Sequence, residues 1–260
     1  MGKLALTALI GALLELDNFS IGMFLISQPI IAGAASGFLM GDFQTGMQIG
    51  CMTQLIWANT PPFGAYVPPS SSAIAFITTA LIVLMKNSMP GVTALNSIMM
   101  FCLIGGVAVG FFVGQMDIWN RKLNIRILHG FENKVREGKY GYICLINFLA
   151  VMAKLIRDFI LYFLILSSSL PLIMRIYKTL PNEITEAFKI SWWMMPVIGF
   201  SVIFDMFRTK QGSMIHGITL LATYIIFSFC RINISFFLPA LFAVIMLIVY
   251  YTVWEKGEEA

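Results

Sequence analysis

Neutral hydrogen-bonding side chains gather in one short stretch, "QLIWANTPPFGAYVPPSSSAIA", which carries Gln54, Asn59, Ser70, Ser71 and Ser72. Amides offer donors and acceptors together, and hydroxyls do both at one atom. With the aromatic rings of Trp57 and Tyr66 close by, this set suits an uncharged polyol, that is, a sugar. No charged residue occurs anywhere from position 43 to position 85, so the stretch lies inside hydrocarbon-like sequence. Its two proline pairs, Pro61-Pro62 and Pro68-Pro69, lack backbone N–H groups and break a helix. Irregular backbone at membrane depth survives only when buried in protein or lining a wet cavity. Pro69 followed by three serines and then Ala-Ile-Ala-Phe-Ile reads as a helix start with a serine cap. Its free N–H groups and positive dipole end would face a guest. A second reading stands beside this one. The Pro-Pro turns form an extracellular loop, Ser70 is a structural cap, and Trp57 and Tyr66 belong to an interfacial aromatic belt.

Charged candidates are few. Asp42, in a Gly-Asp turn, caps a helix or binds sugar or a cation. Asp17, in "LELDNF", is solvated, caps a helix end or serves as a ligand. Lys154, Arg157 and Asp158 interrupt an apolar block, and ionisable groups inside a span are functional candidates by default. The i,i+4 spacing of Lys154 and Asp158 predicts an internal ion pair. Cys51, Cys102, Cys144 and Cys230 lie far apart in apolar surroundings and read as buried small hydrophobes. No Walker loop, dinucleotide fingerprint or metal-spaced cluster occurs, so no catalytic residue, metal or cofactor is expected.

The elements that must position these groups are membrane helices. Of the 260 residues, 58% are hydrophobic and only 12% charged, with a mean hydropathy of +0.84. Soluble domains carry about 25% charged residues. Uncharged runs at positions 18–41, 43–85, 87–116 and 232–254 reach the roughly 20 residues that a spanning helix needs. The first apolar segment, positions 4–14, is followed by Glu15 and Asp17 and lacks the small-residue pattern of a cleavable leader.

Arg121, Lys122, Arg126, Lys134, Arg136 and Lys139 cluster between two apolar blocks. The positive-inside rule places that segment in the cytoplasm. Leu123, Ile127, Leu128, Phe131 and Val135 follow helical spacing, so the segment is predicted to be an amphipathic arm along the interface. Aromatics do not interleave with the charges, which argues against nucleic acid. Three regions follow: a first membrane block at 1–116 with the sugar-site core, the basic arm at 117–139, and a second membrane block at 140–260. Gly33, Gly37, Gly41, Gly46 and Gly50 recur at intervals that let helix backbones pack closely. The run 43–85 is too long for one helix and is predicted to form two half-helices or a hairpin around a re-entrant segment. Residues 171–189 mix charges with apolar side chains and read as a connector or an interfacial helix, not a span. The expected fold class is an all-α integral membrane protein, polytopic, with broken or re-entrant segments.

The stretch "QPIIAGAASGFLMGDFQTGMQIGCMTQLIWANTPPFGAYVPPSSSAIA" resembles the signature of the IIC subunit of mannose/sorbose-family phosphotransferase systems. "LINFLAVMAKLIRDFILYFLI" and the run from "ISWWMMPVIGFSVIFDMFR" to the last apolar helix are similar to that family's second half. The resemblance implies a sugar permease subunit in the bacterial inner membrane, with an elevator-type core and a scaffold domain. It implies a IID membrane partner and soluble IIA and IIB phosphocarriers, which carry the phosphoryl transfer and the phosphohistidines. His129 and His216 are therefore expected to be bland. Where the family has Arg-Pro this chain has Gln28-Pro29, which adds Gln28 to the substrate-binding set. Gln54 and Ser70 stand where acidic residues are often found, so charge-assisted acceptors are absent at those positions. Glucose, mannose, fructose, sorbose and amino sugars remain open. Two other function classes also remain open: an ion-coupled carrier working alone with Asp42 as its carboxylate, and a non-transporting scaffold or receptor.

Overall fold

The computed structural model describes residues 1–22, 24–58, 68–89 and 95–206, and all of its described regular structure is helical. In chain order the helices are α1 (Gly2–Leu16), a π-helical turn (Asp17–Ile21), α2 (Pro29–Met40), α3 (Phe43–Ile56), α4 (Ser71–Ser88), α5 (Leu95–Arg136), α6 (Gly141–Thr179) and α7 (Asn182–Met206). Among the described residues, three helices are long and apolar enough to cross a membrane: Ser71–Ser88, the part of α5 from Leu95 to Glu132, and Gly141–Thr179. The chain divides into two compact units. One comprises Met1–Gln54 and Thr60–Lys189; the other comprises Leu55–Asn59 and Ile190–Ala260.

The core of the first unit is α4. It is mainly apolar on every side, and Ala73, Ile74, Ala75, Phe76, Ile77, Ala80, Leu81, Ile82 and Val83 are all buried, along with Thr78 and Thr79. A helix apolar on every side belongs inside other helices. Here α2 and α5 take most of its surface, with α6 and α1 on the remainder. Gly106 and Gly110 let α5 approach: a β-carbon on Gly110 would stand 2.3 Å from the Ile74 side chain.

The sequence's regular glycine spacing is realised between α2 and α3. Each helix, of 12 and 14 residues, rises only about 18–21 Å, less than the hydrocarbon core of about 30 Å. They fold back on each other through Gly41, whose φ of +95° lies in the left-handed region that glycine adopts without strain. A β-carbon on Gly33 would stand 2.6 Å from the Gly46 carbonyl oxygen, and one on Gly37 2.8 Å from the Gly46 Cα. Thus the hairpin forms between α2 and α3, with main chain against main chain. The Lys3 ammonium donates to the Met40 carbonyl at 3.0 Å, satisfying an acceptor at the end of α2.

Two findings depart from the sequence reading. Residues 171–189 are no separate connector: Pro171 lies inside α6, and the chain turns only at Leu180 and Pro181 before α7. Proline at 171 denies the Ser167 carbonyl its helical donor, a loss that membrane helices tolerate through neighbouring hydroxyls and local adjustment. Ser167, Ser168 and Ser169 all turn their hydroxyls back to carbonyls one turn earlier. Secondly, α5 passes Asp117 without interruption, so the basic segment continues the preceding helix as far as Arg136. Within the second unit, Gly199 of α7 packs against Leu55; a β-carbon there would lie 2.6 Å from the Leu55 Cβ.

Candidate functional site

Ser70, directly before α4, is extended, and residues 68–70 are pinned from more than one direction. Ser70 donates its backbone N–H to the Gly110 carbonyl at 3.1 Å. Gly114 lies against the Pro68 carbonyl, where a β-carbon would stand 3.0 Å from the oxygen. Ser70 is the N-cap of α4, and its hydroxyl oxygen accepts from the Ala73 N–H at 3.1 Å, as a capping serine should. The same hydroxyl donates to the Glu15 carboxylate. Only 3% of Ser70 is exposed, and Ser72 is buried too. Ser71 opens the helix and is half-buried.

Glu15 is fully buried. Its Oε1 also accepts from the Tyr162 hydroxyl at 3.2 Å, while its Oε2 has no partner. The Tyr162 ring stacks on Phe76 of α4, with centroids 5.8 Å apart, and both rings press on Gly11 of α1. Three helices therefore aim polar groups at the start of α4. On the α5 and α6 side lies an ion cluster. Lys154 reaches Asp117 at 3.1 Å and Asp158 at 3.2 Å, and all three are nearly inaccessible. Arg157 joins Asp117 at 2.6 Å and Asp158 at 2.5 Å, and donates to the Met116 carbonyl. The predicted Lys154–Asp158 pair is present as one edge of a four-residue lattice. Such pairs stand in low dielectric only when each charge keeps its partner and hydrogen bonds.

A second polar group sits on α2 and α3. The Gln54 Nε2 donates to the Gln28 Oε1 at 2.8 Å. The Gln54 Oε1 and the adjoining Thr53 Oγ1 are buried without a partner. Gln28 is the N-cap of α2, with Pro29 as the first helical residue. Sequence positions 28 and 54 are thus brought into direct contact. Among the described residues, no hydrogen bond links this pair to Ser70. Asn59, Tyr66 and the pair Pro61-Pro62 lie outside the described residues, as do Cys230 and His216. Trp57 lies in a turn directly after α3.

The other singled-out residues are occupied structurally. Asp42 accepts from the Thr45 N–H at 3.1 Å at the start of α3 and pairs with Lys86 at 2.7 Å. Burial disfavours its carboxylate, yet Lys86 and Thr45 outweigh that and hold its pKa below the usual range. Asp17 is buried and accepts from the Phe24 and Ser27 N–H groups, shaping the loop between the π-helical turn and α2. His129 pairs with Glu132 on an exposed face. Cys102 is buried as expected, Cys51 is half-buried, and Cys144 is exposed. Sequence reasoning passed over Glu15, Tyr162 and Asp117. The signal for Glu15 was available, because a carboxylate closing an apolar helix is a default candidate. Tyr162, 147 residues away, gave none.

Together, the long apolar helices and the buried polar cluster define a polytopic membrane protein with polar groups set inside an apolar core. A solved chain described as "Structure of membrane protein" shares this fold at a TM-score of 0.57 and 20% identity, over 96% of this chain and 93% of that one. The family model described as "PTS system sorbose-specific iic component" matches residues 1–249, and the chain belongs to that family. It is a sugar permease component of a phosphotransferase system, a multi-pass protein of the bacterial cytoplasmic membrane. The chain is 23% identical over 240 residues to the N-acetylgalactosamine permease IIC component 1 of Escherichia coli strain K12, covering 91% of this chain and 82% of that protein. It is likewise 23% identical over 186 residues to the mannose-specific EIIC component of the same strain, covering 71% and 66%.

Proposed function

We propose that this chain carries a neutral hexose or amino sugar through the membrane, and that Gln28, Gln54, Asn59, Ser70, Ser71 and Ser72 contact it. The observation that carries this reading is the start of α4. There a buried serine cap is held by Glu15, whose second carboxylate oxygen is also buried and has no partner. An unpartnered buried acceptor is costly, and a sugar hydroxyl is a donor that would relieve it. A carboxylate from α1 would then supply the charge-assisted acceptor that Gln54 and Ser70 do not. The unpartnered Gln54 Oε1 and Thr53 Oγ1 offer the same opportunity on the α2–α3 side.

In this reading the broken backbone before α4 is a re-entrant element of an elevator-type core, supported by the short α2–α3 hairpin. Residues 1–116 form the site-bearing block, 117–139 the cytoplasmic arm, and 140–260 the second block. A IID subunit completes the permease, and soluble IIA and IIB proteins deliver the phosphoryl group from phosphoenolpyruvate. The test is uptake of labelled hexoses and amino sugars by cells co-expressing the chain with its IID, IIA and IIB proteins. Phosphoenolpyruvate-dependent accumulation of one sugar phosphate is expected. Uptake that persists without phosphoenolpyruvate and collapses with an ion gradient would overturn the reading. Within it, Gln54→Ala should weaken sugar binding about fivefold or more, given about 1–3 kcal/mol for an unpaired buried polar partner, with complex assembly unchanged. Unaltered affinity removes Gln54 from the site.

A further inference from the structure

Beyond the ion cluster, α5 and α6 leave the packed region. Asp117 and Lys154 are buried, yet between them no described side chain is buried. The helices are 42 and 39 residues long, about 63 and 58 Å at about 1.5 Å per residue. Both exceed the full bilayer thickness of about 40–45 Å. This hairpin exposes large apolar side chains, among them Trp119, Ile125, Leu128, Ile143 and Phe148. Water is a poor neighbour for such a surface.

The same hairpin is basic. It carries Arg121, Lys122, Arg126, Lys134, Arg136 and Lys139 against Glu132 and Glu137. Six positive and two negative charges give +4, equal to the formal net charge of the whole chain. Lys134 lies over the Tyr142 ring at 4.9 Å, and Phe131 stacks on the same ring, so apolar and cationic groups alternate across the surface. Between the two helices is a cavity of about 640 Å³ whose lining combines Leu128, Val135, Ile143, Ile146 and Ala150 with Asn124, Asn147 and the Glu132–Arg136 ion pair, 2.6 Å apart. A mainly apolar slot beside a basic surface complements one kind of molecule, an acyl chain bearing an anionic head. Basic segments next to membrane spans attract the anionic lipids of the cytoplasmic leaflet, the side to which the positive charge assigns this hairpin.

We propose that the α5–α6 hairpin, residues 118–153, is a binding site for anionic phospholipid, whose acyl chain enters the cavity and whose phosphate rests on the basic side chains. An acidic protein surface would meet the charges but would leave the cavity between the helices unfilled.

The experiment uses the full chain assembled with its IID partner and purified in mild detergent. Native mass spectrometry follows titration with phosphatidylglycerol or with phosphatidylcholine of the same acyl chains. Wild type should retain phosphatidylglycerol about tenfold better, a modest figure for several basic residues near one head group. Arg121→Gln/Lys122→Gln/Arg126→Gln should reduce that preference to about twofold or less. Ile143→Trp, which fills the slot, should lower retention of both lipids. If a variant does not assemble, wild type in about 1 M salt replaces it, where screening acts within about 3 Å and the preference should fall. Equal retention of the two lipids by wild type overturns the proposal. So does a preference untouched by charge removal, slot filling and salt. Full displacement by millimolar glycerol phosphate would assign the site to a free phosphate and would likewise overturn it. Cross-linking of Lys122 and Lys134 to another protein subunit, with no lipid retained, would give the surface to a protein instead.

Discussion

The two ends of α5 obey different physics, and Asp117 marks the division. On one side, Ile98, Met99, Cys102, Leu103 and Val113 are buried against α4 and its neighbours. On the other, from Trp119 onward, the same continuous helix carries charges and bare apolar rings. Nothing in the backbone changes between them. What changes is the surroundings: the first stretch has glycines at 106 and 110 that bring α4 close and one at 114 against Pro68, and the second has arginine and lysine. Helix formation and helix burial are therefore separate decisions in this chain, one made by propensity and continuity, the other by small residues and charge.

If the ion cluster is what joins the two regions, breaking it should have the largest effect. Lys154→Ala leaves Asp117 and Asp158 with Arg157 alone in a dry environment. Removal of one member of a buried pair costs about 3–5 kcal/mol. The measurement is the unfolding midpoint in denaturing detergent, and the comparison sharpens if Lys154→Met combined with Asp158→Leu recovers much of the loss. Next in size comes the packed region itself. Gly46→Val forces a side chain against Gly33 and Gly37, at a cost of about 1–3 kcal/mol or more, read as lost assembly or a lowered thermal midpoint. The charge-neutralised arm variant should leave that midpoint within about 0.5 kcal/mol of wild type, as exposed substitutions do.

The smallest effect belongs to Asp42, whose partner Lys86 is half exposed. Asp42→Asn should cost about 1 kcal/mol or less. Because its folded-state pKa is lowered, that contribution is present above the ordinary carboxylate range and lost as pH falls through the lowered value. A wild-type and variant pair should thus converge in stability toward the acid end. Divergence there would show that Asp42 acts through something other than its charge.

Much of this architecture was legible in the residues. The uncharged runs at 43–85 and 87–116 announced membrane helices, whereas the run at 18–41 breaks into the π-helical turn, a loop and the short α2; the glycine spacing announced close backbone contact, because it depends on local composition. Ser70 was recognisable as a cap from Pro69 and the apolar run that follows. Lys154 and Asp158 were recognisable as a pair because helical spacing alone brings them together. The links that close over distance were not legible. Ser70 to Glu15, Tyr162 to Glu15 and Lys154 to Asp117 span 55, 147 and 37 residues, and no periodicity encodes them. Residues 171–189 misled for the opposite reason: their local mix of charges hid the continuation of α6 through Pro171 to Thr179.

The unbroken course of α5 makes it a lever. From Asp117 to Arg136 the rod extends about 28 Å, and the ion lattice at Asp117 sits where a pivot would. A tilt of about 10° at that pivot carries the tip through about 5 Å, by the same rise per residue. Any shift at that lattice would thereby be magnified at Arg136, the far end of the helix.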